Sequence, residues 1–325
     1  MMPAIRRRWW RKSGSVIPTP FSNSAEGAQM KPILKWAGGK SRLMPRLRPF
    51  LPAADCLVEP FVGGASVFLD TDYRRYVLAD INPDLINFYQ AVVDSPEGVI
   101  QAALPLFKHA NTSADYFRYR TDFAQWRATR GLNRAAVFLY LNRHGYNGLC
   151  RYNLRGEFNV PYGRYKKPYF PAAEIRLFAE KARDTHTRFV CLPFEETLAF
   201  HVDERCAVYA DPPYLPPEDR DGFTSYYITP FRDEKHQALA DALAETHLRW
   251  NVPVVLSGSN TPKTHAAYRG FTFHYTHTHY SIAAKGASRG KAGEVIATLP
   301  VRQSRPSTSE TGDFSFGLSG WLRFV

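Results

Sequence analysis

Apolar residues in this chain fall into short runs of strand length, separated mostly by longer stretches where they recur with helical spacing. Helical spacing is clear over residues 172–183 and 233–248. Strands that alternate with helices predict an α/β fold, with a mostly parallel sheet covered on both faces. A loop rich in Gly, Ser and Lys separates the last two runs. We therefore predict a terminal hairpin, which would make one edge of the sheet antiparallel. The seven predicted strands are residues 56–58, 76–79, 189–192, 206–210, 252–256, 271–275 and 295–299.

A long interval separates the second predicted strand from the third. It holds about a hundred residues, far more than one crossover helix needs. Helical patterns over 115–127 and 133–143 fill its first part. Its second part, residues 143–167, carries six basic side chains against one acidic residue, interleaved with Tyr and Phe. Phosphate-neutralising charge mixed with aromatic faces is typical of proteins that displace a base, so we predict an inserted segment that contacts nucleic acid.

The composition predicts a large folded core and an anionic partner. The chain has 325 residues, 44% hydrophobic and 14% aromatic, enough for one large core or one core plus a small second domain. Its formal net charge of +12 favours nucleic acid as the partner. Residues 1–29 carry five basic residues against one acidic residue, and we predict a disordered arm there, with a dedicated DNA-binding arm as the alternative. Residues 301–325 are predicted to form a disordered tail.

The cysteines show neither metal-site spacing nor a disulfide framework. Three of the four fall in apolar runs, so we predict reduced core cysteines of a cytoplasmic protein and no metal. No apolar stretch approaches the ~18 residues that span a bilayer, and the basic N-terminal run lacks the apolar segment of a signal peptide. The cysteines are Cys56, Cys150, Cys191 and Cys206.

Three histidines alternate along one predicted strand. They are His274, His277 and His279. Because no cysteine or acidic residue stands at ligand spacing beside them, an exposed strand face is favoured over a metal site.

The tetrapeptide Asp-Pro-Pro-Tyr at 211–214 follows directly on the apolar run 206–210. Two consecutive prolines fix the backbone and remove two donors, so Asp211 and the Pro212 carbonyl are left as acceptors. Such acceptors suit the exocyclic amine of adenine, whose lone pair they would localise for attack on an electrophilic methyl group. Tyr214 would offer a face on which the base stacks. An ordinary Pro-Pro turn with an Asp cap is the alternative that these four residues alone leave open.

A second candidate site follows the first predicted strand. The run Glu59-Pro60-Phe61-Val62-Gly63-Gly64 ends that strand in a glycine turn, which lets a ligand approach the backbone closely. The turn lacks G-x-G-x-x-G spacing, and Glu59 would repel a pyrophosphate. Asp80 ends the next strand, where carboxylates bind ribose hydroxyls in nucleotide-binding folds. These acids fit S-adenosylmethionine, which has a ribose and a positive charge but no phosphate. A helix-capping Asp80 beside a plain tight turn is the alternative.

The segment Lys-Trp-Ala-Gly-Gly-Lys-Ser at 35–41 contains a Gly-Lys-Ser that also occurs in the P-loop. The first glycine of a P-loop would fall on Leu34, so that motif is excluded. A Trp face and a Lys beside two glycines instead suit an adenine ring and a carboxylate, both of which S-adenosylmethionine carries.

Four motifs in a fixed order closely resemble the Dam-type DNA adenine-N6 methyltransferases, the class with the cofactor motif first, the target-recognition domain in the middle and the catalytic motif last. The motifs are Lys-Trp-Ala-Gly-Gly-Lys at 35–40, Glu-Pro-Phe-Val-Gly-Gly at 59–64, Asn-Arg-His-Gly-Tyr-Asn-Gly-Leu-Cys-Arg-Tyr-Asn at 142–153 with its continuation to residue 165, and Asp-Pro-Pro-Tyr. The resemblance implies a Rossmann-like S-adenosylmethionine-dependent methyltransferase sheet at 30–84 and 172–300. It also implies an inserted, mainly helical DNA target-recognition domain at 85–171.

The activity implied by the resemblance is methyl transfer to N6 of adenine within GATC in double-stranded DNA, by a monomeric bacterial or phage enzyme. The implied catalytic residues are Asp211, Pro212, Pro213 and Tyr214. The implied contacts to S-adenosylmethionine are Trp36, Lys40, Glu59, Phe61, Gly63, Asp80 and Asp211. The implied contacts to DNA are Lys35, Arg143, Tyr146, Asn147, Leu149, Arg151, Asn153, Pro161 and Tyr165. From its chemistry, Arg151 could pair bidentately with guanine, and a phosphate contact is the alternative.

Several loops depart from the family's typical sequence. The third small residue of the glycine turn is Ala65, the segment 215–223 is acidic, and the segments 257–260 and 285–291 differ from their usual form. We expect these loops to alter cofactor affinity, rate or processivity and to leave the reaction unchanged. Two rival functions are a catalytically silent protein on GATC sites and an RNA or small-molecule amino-methyltransferase. The complete cofactor motif argues against the first, and the basic insert argues against the second.

Overall fold

Seven strands form one sheet in the computed structural model, which describes residues 30–125, 130–215, 231–278 and 292–301. Each strand coincides with one predicted apolar run to within a few residues. The strands are β1 (Cys56–Glu59), β2 (Arg75–Ala79), β3 (Arg188–Val190), β4 (Cys206–Ala210), β5 (Val254–Ser259), β6 (Thr272–Thr278) and β7 (Ala292–Leu299).

The strand order is β3-β2-β1-β4-β5-β7-β6. Strands β1 to β5 are parallel, and β7 runs antiparallel to both β5 and β6. The predicted parallel sheet with an antiparallel edge is therefore confirmed. The chain winds outward from β1 to β3 and then returns to place β4 on the other side of β1. Ligands of open α/β sheets bind at such a switch point, beyond the carboxyl ends of the two strands.

The described residues contain ten α-helices and three short 3₁₀ turns. The predicted helices over 115–127, 133–143, 172–183 and 233–248 correspond to α5, α6, α7 and α9. The helices are α1 (Met44–Leu47), α2 (Ser66–Asp70), α3 (Pro83–Asp94), α4 (Pro96–His109), α5 (Ser113–Gln125), α6 (Leu132–His144), α7 (Ala172–Asp184), α8 (Phe194–His201), α9 (Asp233–Trp250) and α10 (Pro262–Ala267). The 3₁₀ turns are Lys40–Arg42, Arg48–Phe50 and Tyr146–Gly148.

Helices cover both faces of the sheet. On one face α6 is the central helix, since it packs against α3, α4 and α5 and is buried from Arg134 to His144. One hydrophobic cluster joins Leu57 of β1 to Phe138 of α6. On the other face, Val208 of β4 packs in a second cluster with Leu243 of α9. Strands β1 and β4 are buried at every position, as expected for parallel strands covered on both sides.

The insertion between β2 and β3 begins at α3. The Asn82 side chain caps this helix by accepting hydrogen bonds from the backbone N–H groups of Asp84 (3.0 Å) and Leu85 (3.3 Å). The predicted start of the inserted domain, residue 85, therefore falls inside the first turn of α3. The inserted helices share one hydrophobic cluster with the sheet, and the division into a separate domain at 85–171 stays a prediction.

The prediction that all four cysteines are core residues is wrong for Cys191. Cys56, Cys150 and Cys206 are buried, whereas Cys191 is exposed, and none of the four forms a disulfide. The run 189–192 suggested a longer strand, but β3 ends at Val190, so Cys191 lies just beyond the sheet.

Several predictions lie outside the described residues. They concern the arm at 1–29, the loops at 216–223 and 285–291, the tail from residue 302, and His279. Across the described ranges, no helix is both long and apolar enough to cross a membrane. The same ranges contain no group of three or more His, Cys, Asp or Glu side chains placed to hold a metal ion. His274 of β6 is half-buried, with its ring centroid 4.4 Å from that of Phe50.

Candidate active site and nucleic-acid interface

The Asp-Pro-Pro-Tyr corner follows β4 directly and lies at the carboxyl edge of the sheet, beside the end of β1. Lys40 Nζ lies 2.7 Å from Asp211 Oδ1 and donates a hydrogen bond to the Gly38 carbonyl oxygen at 2.8 Å. The same Nζ lies 4.7 Å from the centroid of the Tyr214 ring. Lys40 is buried. Through these contacts its ammonium group connects the corner to the segment 36–40.

A second buried carboxyl group lies near Asp211. Glu59, at the end of β1, is 2% exposed, and its Oε1 has no hydrogen-bond partner among the described residues. Burial, reinforced by the nearby Asp211, raises the pKa of Glu59 well above its usual value. Burial also raises the pKa of Asp211, and Lys40 acts in the opposite direction. A cation bound beside these two carboxyl groups would stabilise their ionised forms, so the site favours binding of a further cation.

The glycine turn is shaped by Trp36. Gly63 has a φ of +46°, and a Cβ added there would lie 2.7 Å from Trp36 Nε1. A Cβ on Gly64 would lie 2.8 Å from the Trp36 Cβ. The backbone N–H of Gly63 donates to Asp80 Oδ2 at 3.2 Å, which fixes the carboxylate at the turn. Burial raises the pKa of Asp80 to about 6, although hydrogen bonds from the backbone of Asn82 and Gly63 oppose the shift.

These groups fit S-adenosylmethionine. A sulfonium would be favoured beside Glu59, whose Oε1 has no hydrogen-bond partner among the described residues, and ribose hydroxyls would find an acceptor in Asp80. Trp36 adds an aromatic face at the glycine turn. The acidic character of the pocket disfavours a phosphate-bearing cofactor.

Phe61 is directed differently from these predicted cofactor contacts. Its ring centroid lies 5.8 Å from that of Phe194 and 5.6 Å from that of Phe231. Phe61 thus packs against the second hydrophobic cluster, on the α9 side of the sheet.

Residues 145–165 form an irregular hairpin, with bridges between Gly145 and Tyr162 and between Tyr152 and Phe158. Lys35 Nζ lies 3.6 Å from the centroid of the Tyr165 ring. The hairpin therefore touches the segment that also carries Lys40.

The surface around this contact gathers several predicted DNA contacts. Tyr165 Oη accepts a hydrogen bond from the backbone N–H of Asn147 at 3.0 Å. The next residue back, Tyr146, is 45% exposed, and its N–H donates to the carbonyl of the exposed Pro161 at 2.9 Å. Lys35, Tyr146, Asn147, Pro161 and Tyr165 thus lie together, and we call them the Lys35 surface.

Arg151 is held in one orientation by Asn159. Its Nε donates to Asn159 Oδ1 at 2.8 Å, and its Nη2 donates to the Asn159 carbonyl at 3.1 Å. Arg151 is half-buried, as is the neighbouring predicted contact Leu149. Two bonds to one residue leave the guanidinium few alternative directions, which suits a planar, bidentate contact.

The D12 class of N6 adenine-specific DNA methyltransferases matches this chain over residues 36–282. The chain belongs to this family. A DNA adenine methylase of Escherichia coli (strain K12) is 45% identical over 266 residues, which cover 82% of this chain and 94% of the relative. A DNA adenine methylase of Salmonella typhi is 44% identical over 276 residues, covering 85% and 97%. The Retron Ec67 DNA adenine methylase of Escherichia coli is 44% identical over 274 residues, covering 84% and 93%. The resemblance inferred from the four motifs is confirmed.

Two further predicted DNA contacts of this D12 methyltransferase, Arg143 and Asn153, use their side chains in internal bonds. Arg143 is 7% exposed, its Nε donates to the Ile33 carbonyl at 2.9 Å, and burial lowers its pKa to about 10. Asn153 closes the hairpin turn, because its Oδ1 accepts from the backbone N–H groups of Arg155 and Glu157, both at 3.0 Å. The Arg143 guanidinium is thus directed to Ile33, although the Arg143 backbone carbonyl accepts a hydrogen bond from Lys35 Nζ at 3.4 Å.

Three residues of the D12 methyltransferase site were not predicted. Asn142 Oδ1 accepts from the Lys35 N–H at 2.9 Å, and its Nδ2 donates to the Lys35 carbonyl at 2.8 Å. Glu294 of β7 accepts a hydrogen bond from Tyr214 Oη at 3.2 Å. Asn159 holds Arg151 as described above. Asn142 and Asn159 lie inside a quoted motif, and an acid directly before the apolar run 295–299 was an available signal for Glu294.

Proposed function

We propose that this chain transfers a methyl group from S-adenosylmethionine to N6 of adenine within GATC in double-stranded DNA, the activity classified as EC 2.1.1.72. Adenine methylation of DNA is the function of the D12 family to which the chain belongs. The arrangement that supports the fuller proposal is the continuity of the site. Lys40 joins the Asp-Pro-Pro-Tyr corner to the segment 36–40, and Lys35 of the same segment packs on Tyr165 of the hairpin.

The corner would hold the target adenine. Asp211 and the Pro212 carbonyl accept hydrogen bonds from the N6 amine, Pro213 keeps the turn rigid, and Tyr214 stacks on the flipped base. Two acceptors on the amine hydrogens concentrate the nitrogen lone pair toward the methyl donor. Because Lys40 favours the ionised form of Asp211, the carboxylate can act as acceptor despite its burial. Fixed acceptors and orientation supply the catalysis, and no metal is required.

S-adenosylmethionine supplies an electrophilic methyl group on a positively charged sulfur. Trp36, Glu59 and Asp80 would bind it around the glycine turn, with Gly63 allowing close approach of the backbone. Lys40 lies between this pocket and the corner, where it orients Asp211. The buried carboxylate of Glu59 favours the cationic donor over the neutral product, which assists product release.

Sequence recognition would come from the hairpin and from Lys35. Tyr146 and Asn147 would contact the DNA beside the flipped adenine, and Tyr165, which packs on Lys35, would support that lysine as it reaches a flanking base. Arg151, oriented by Asn159, reads a guanine, with Leu149 and Pro161 as apolar contacts to neighbouring bases. Arg143 and Asn153 shape this surface through their bonds to Ile33 and to the hairpin turn.

The proposed enzyme acts as a monomer on DNA in the bacterial cytoplasm. Methylation at GATC suits two settings, restriction–modification and the marking of DNA for replication and mismatch repair. One relative is named as the methylase of a retron, which supports a mobile-element setting as well.

A direct test is to incubate the purified chain with S-adenosylmethionine and plasmid DNA that lacks adenine methylation, and then to map N6-methyladenine along the sequence. We expect methylation at GATC. Methylation spread over other sites would contradict GATC as the recognition sequence, but it would still support adenine methylation as the reaction. Tight binding to GATC without methyl incorporation would identify a silent DNA-binding protein instead.

A further inference from the structure

Glu294 is a buried acidic residue of β7, and the residues that follow it in this strand are apolar. It is 2% exposed and precedes Val295, Ile296 and Ala297, all of them buried. In the sheet it lies opposite Ser259 of β5 and Thr276 of β6. Burial of a carboxylate is costly unless it is hydrogen-bonded, so its partners indicate its purpose.

The phenol of Tyr214 is one such partner. Tyr214 Oη donates to Glu294 Oε1 at 3.2 Å. Burial, followed by the charges of Asp211 and Glu294, raises the pKa of Tyr214 well above its usual value, so the phenol stays protonated and remains a donor. The ring is therefore fixed at its hydroxyl by Glu294, while the Lys40 ammonium lies over its face.

The strand pair β5 and β7 also holds the residue after Tyr214. Ser259 Oγ, opposite Glu294 in the sheet, donates to the Leu215 carbonyl at 2.6 Å. Asn260 N–H donates to the Gly293 carbonyl at 2.9 Å, which ties the two strands together beside this contact. Two residues that lie opposite each other in β5 and β7 thus hold Tyr214 and the residue that follows it.

We infer that Glu294 is a positioning residue of the methyltransferase, which fixes the Tyr214 ring in the orientation that stacks on the flipped adenine. This inference rests on the proposed function of the Asp-Pro-Pro-Tyr corner. Glu294 acts through the tyrosine hydroxyl, so its removal should weaken the methylation step and base stacking more than the binding of DNA or of S-adenosylmethionine. A general structural role would instead lower stability and all activities together.

Three single variants and one double variant of the full chain separate these roles. Glu294→Met removes the acceptor at similar volume, Glu294→Gln keeps an acceptor oxygen, and Tyr214→Phe keeps the ring without the donor. We expect Glu294→Met and Tyr214→Phe each to lower kcat roughly tenfold with little change in KM for DNA, and Glu294→Gln to retain most of kcat. The double variant Tyr214→Phe/Glu294→Met should lose much less than the product of the two single losses.

A duplex with 2-aminopurine at the target position reports the stacking directly. Because stacking quenches this base, Glu294→Met should give a brighter complex than the wild-type protein, and Glu294→Gln should resemble the wild type. Multiplicative losses in the double variant, or wild-type kcat and fluorescence in Glu294→Met, would overturn the inference. If the wild-type chain methylates no adenine at all, the proposed function itself is wrong.

Tyr140→Phe is the matched control. Tyr140 is a buried tyrosine of α6, and its hydroxyl donates to the Ala110 carbonyl at 2.7 Å. The substitution removes one buried hydroxyl bond, and the groups that act electrostatically on Tyr140 belong to the insertion rather than to the corner. We expect it to lower the melting temperature and leave kcat and the 2-aminopurine signal unchanged. An equal loss of kcat in this control would show that the Glu294 effect is one of stability, and the inference would fail.

Discussion

The proposed methyl-donor pocket and the proposed DNA-facing hairpin of this D12 methyltransferase are stabilised by different interactions. The pocket lies where β1, β2 and β4 end, and it holds buried carboxylates whose pKa values are raised by burial, such as Glu59 and Asp80. The hairpin is more exposed, and its polar side chains bond to one another and to nearby backbone, as Arg151 does to Asn159. The pocket therefore carries an electrostatic cost that a bound cation relieves, whereas the hairpin is oriented in advance at little cost.

Asp211→Ala gives the largest expected separation between the two regions. The substitution removes the acceptor that is proposed to hold the adenine amine and leaves every hairpin contact intact. We expect the methylation rate to fall by about a thousandfold or more, while the affinity for a GATC duplex stays within a few-fold of wild type. Single-turnover methylation and gel-shift titration measure the two effects. Near wild-type turnover in this variant would show that the catalytic acceptor lies elsewhere.

Gly63→Ala tests the donor pocket alone. The new Cβ would meet Trp36 Nε1 at 2.7 Å, and the residue would have to keep a φ of +46°. Strain and clash together should weaken S-adenosylmethionine binding by about thirtyfold, roughly 2 kcal/mol, with DNA affinity unchanged. Calorimetric titration of S-adenosylmethionine measures this.

Gly270→Ala is the control for Gly63→Ala. Gly270 has a φ of +99°, and a Cβ added there would meet nothing within 4 Å. It reproduces backbone strain without the contact to Trp36, so it should leave S-adenosylmethionine affinity unaffected. Equal losses in the two variants would mean that the Trp36 contact does not shape the pocket.

The strands and the corner were predictable because they depend on local sequence. Buried parallel strands are continuous apolar runs, as in β4, and the residues just after such strands are brought to one edge of the sheet. Long-range partners were not predictable. Nothing local indicates that Glu294 meets Tyr214, because that contact depends on β7 inserting between β5 and β6. The direction of Arg143 was equally hidden, since its helix position does not reveal that it bonds to Ile33.

Asp80→Asn should expose the electrostatic cost of the pocket. The folded-state pKa of Asp80 is about 6 against an ordinary value of 3.8, so ionised Asp80 destabilises the unliganded fold above pH 6. That penalty decreases as the pH falls below 6, and it is absent below 3.8, the pKa of Asp80 in the unfolded chain. We therefore expect the variant to be more stable than wild type by about 1–2 kcal/mol at pH 8, with no advantage at pH 3.5. Chemical denaturation at the two pH values measures this stability difference. The variant should also bind S-adenosylmethionine more weakly than the wild type does. A stability difference that does not change with pH would contradict the assignment of the cost to the Asp80 charge.

Asn142→Leu tests whether the two regions are coupled through Lys35. Asn142 bonds to both the N–H and the carbonyl of Lys35, across 107 residues of sequence. Loss of both bonds should loosen Lys35 against Tyr165 and lower kcat/KM on GATC about fivefold, with a smaller loss on sites altered at the flanking base. Asn87→Leu is the matched control, because Asn87 is a buried asparagine that bonds to the N–H of Gly131 at 2.8 Å and to its carbonyl at 3.4 Å. Both variants should lose similar stability. An equal loss of kcat/KM in the control would mean that Lys35 needs no support from α6. The pocket and the hairpin would then act independently.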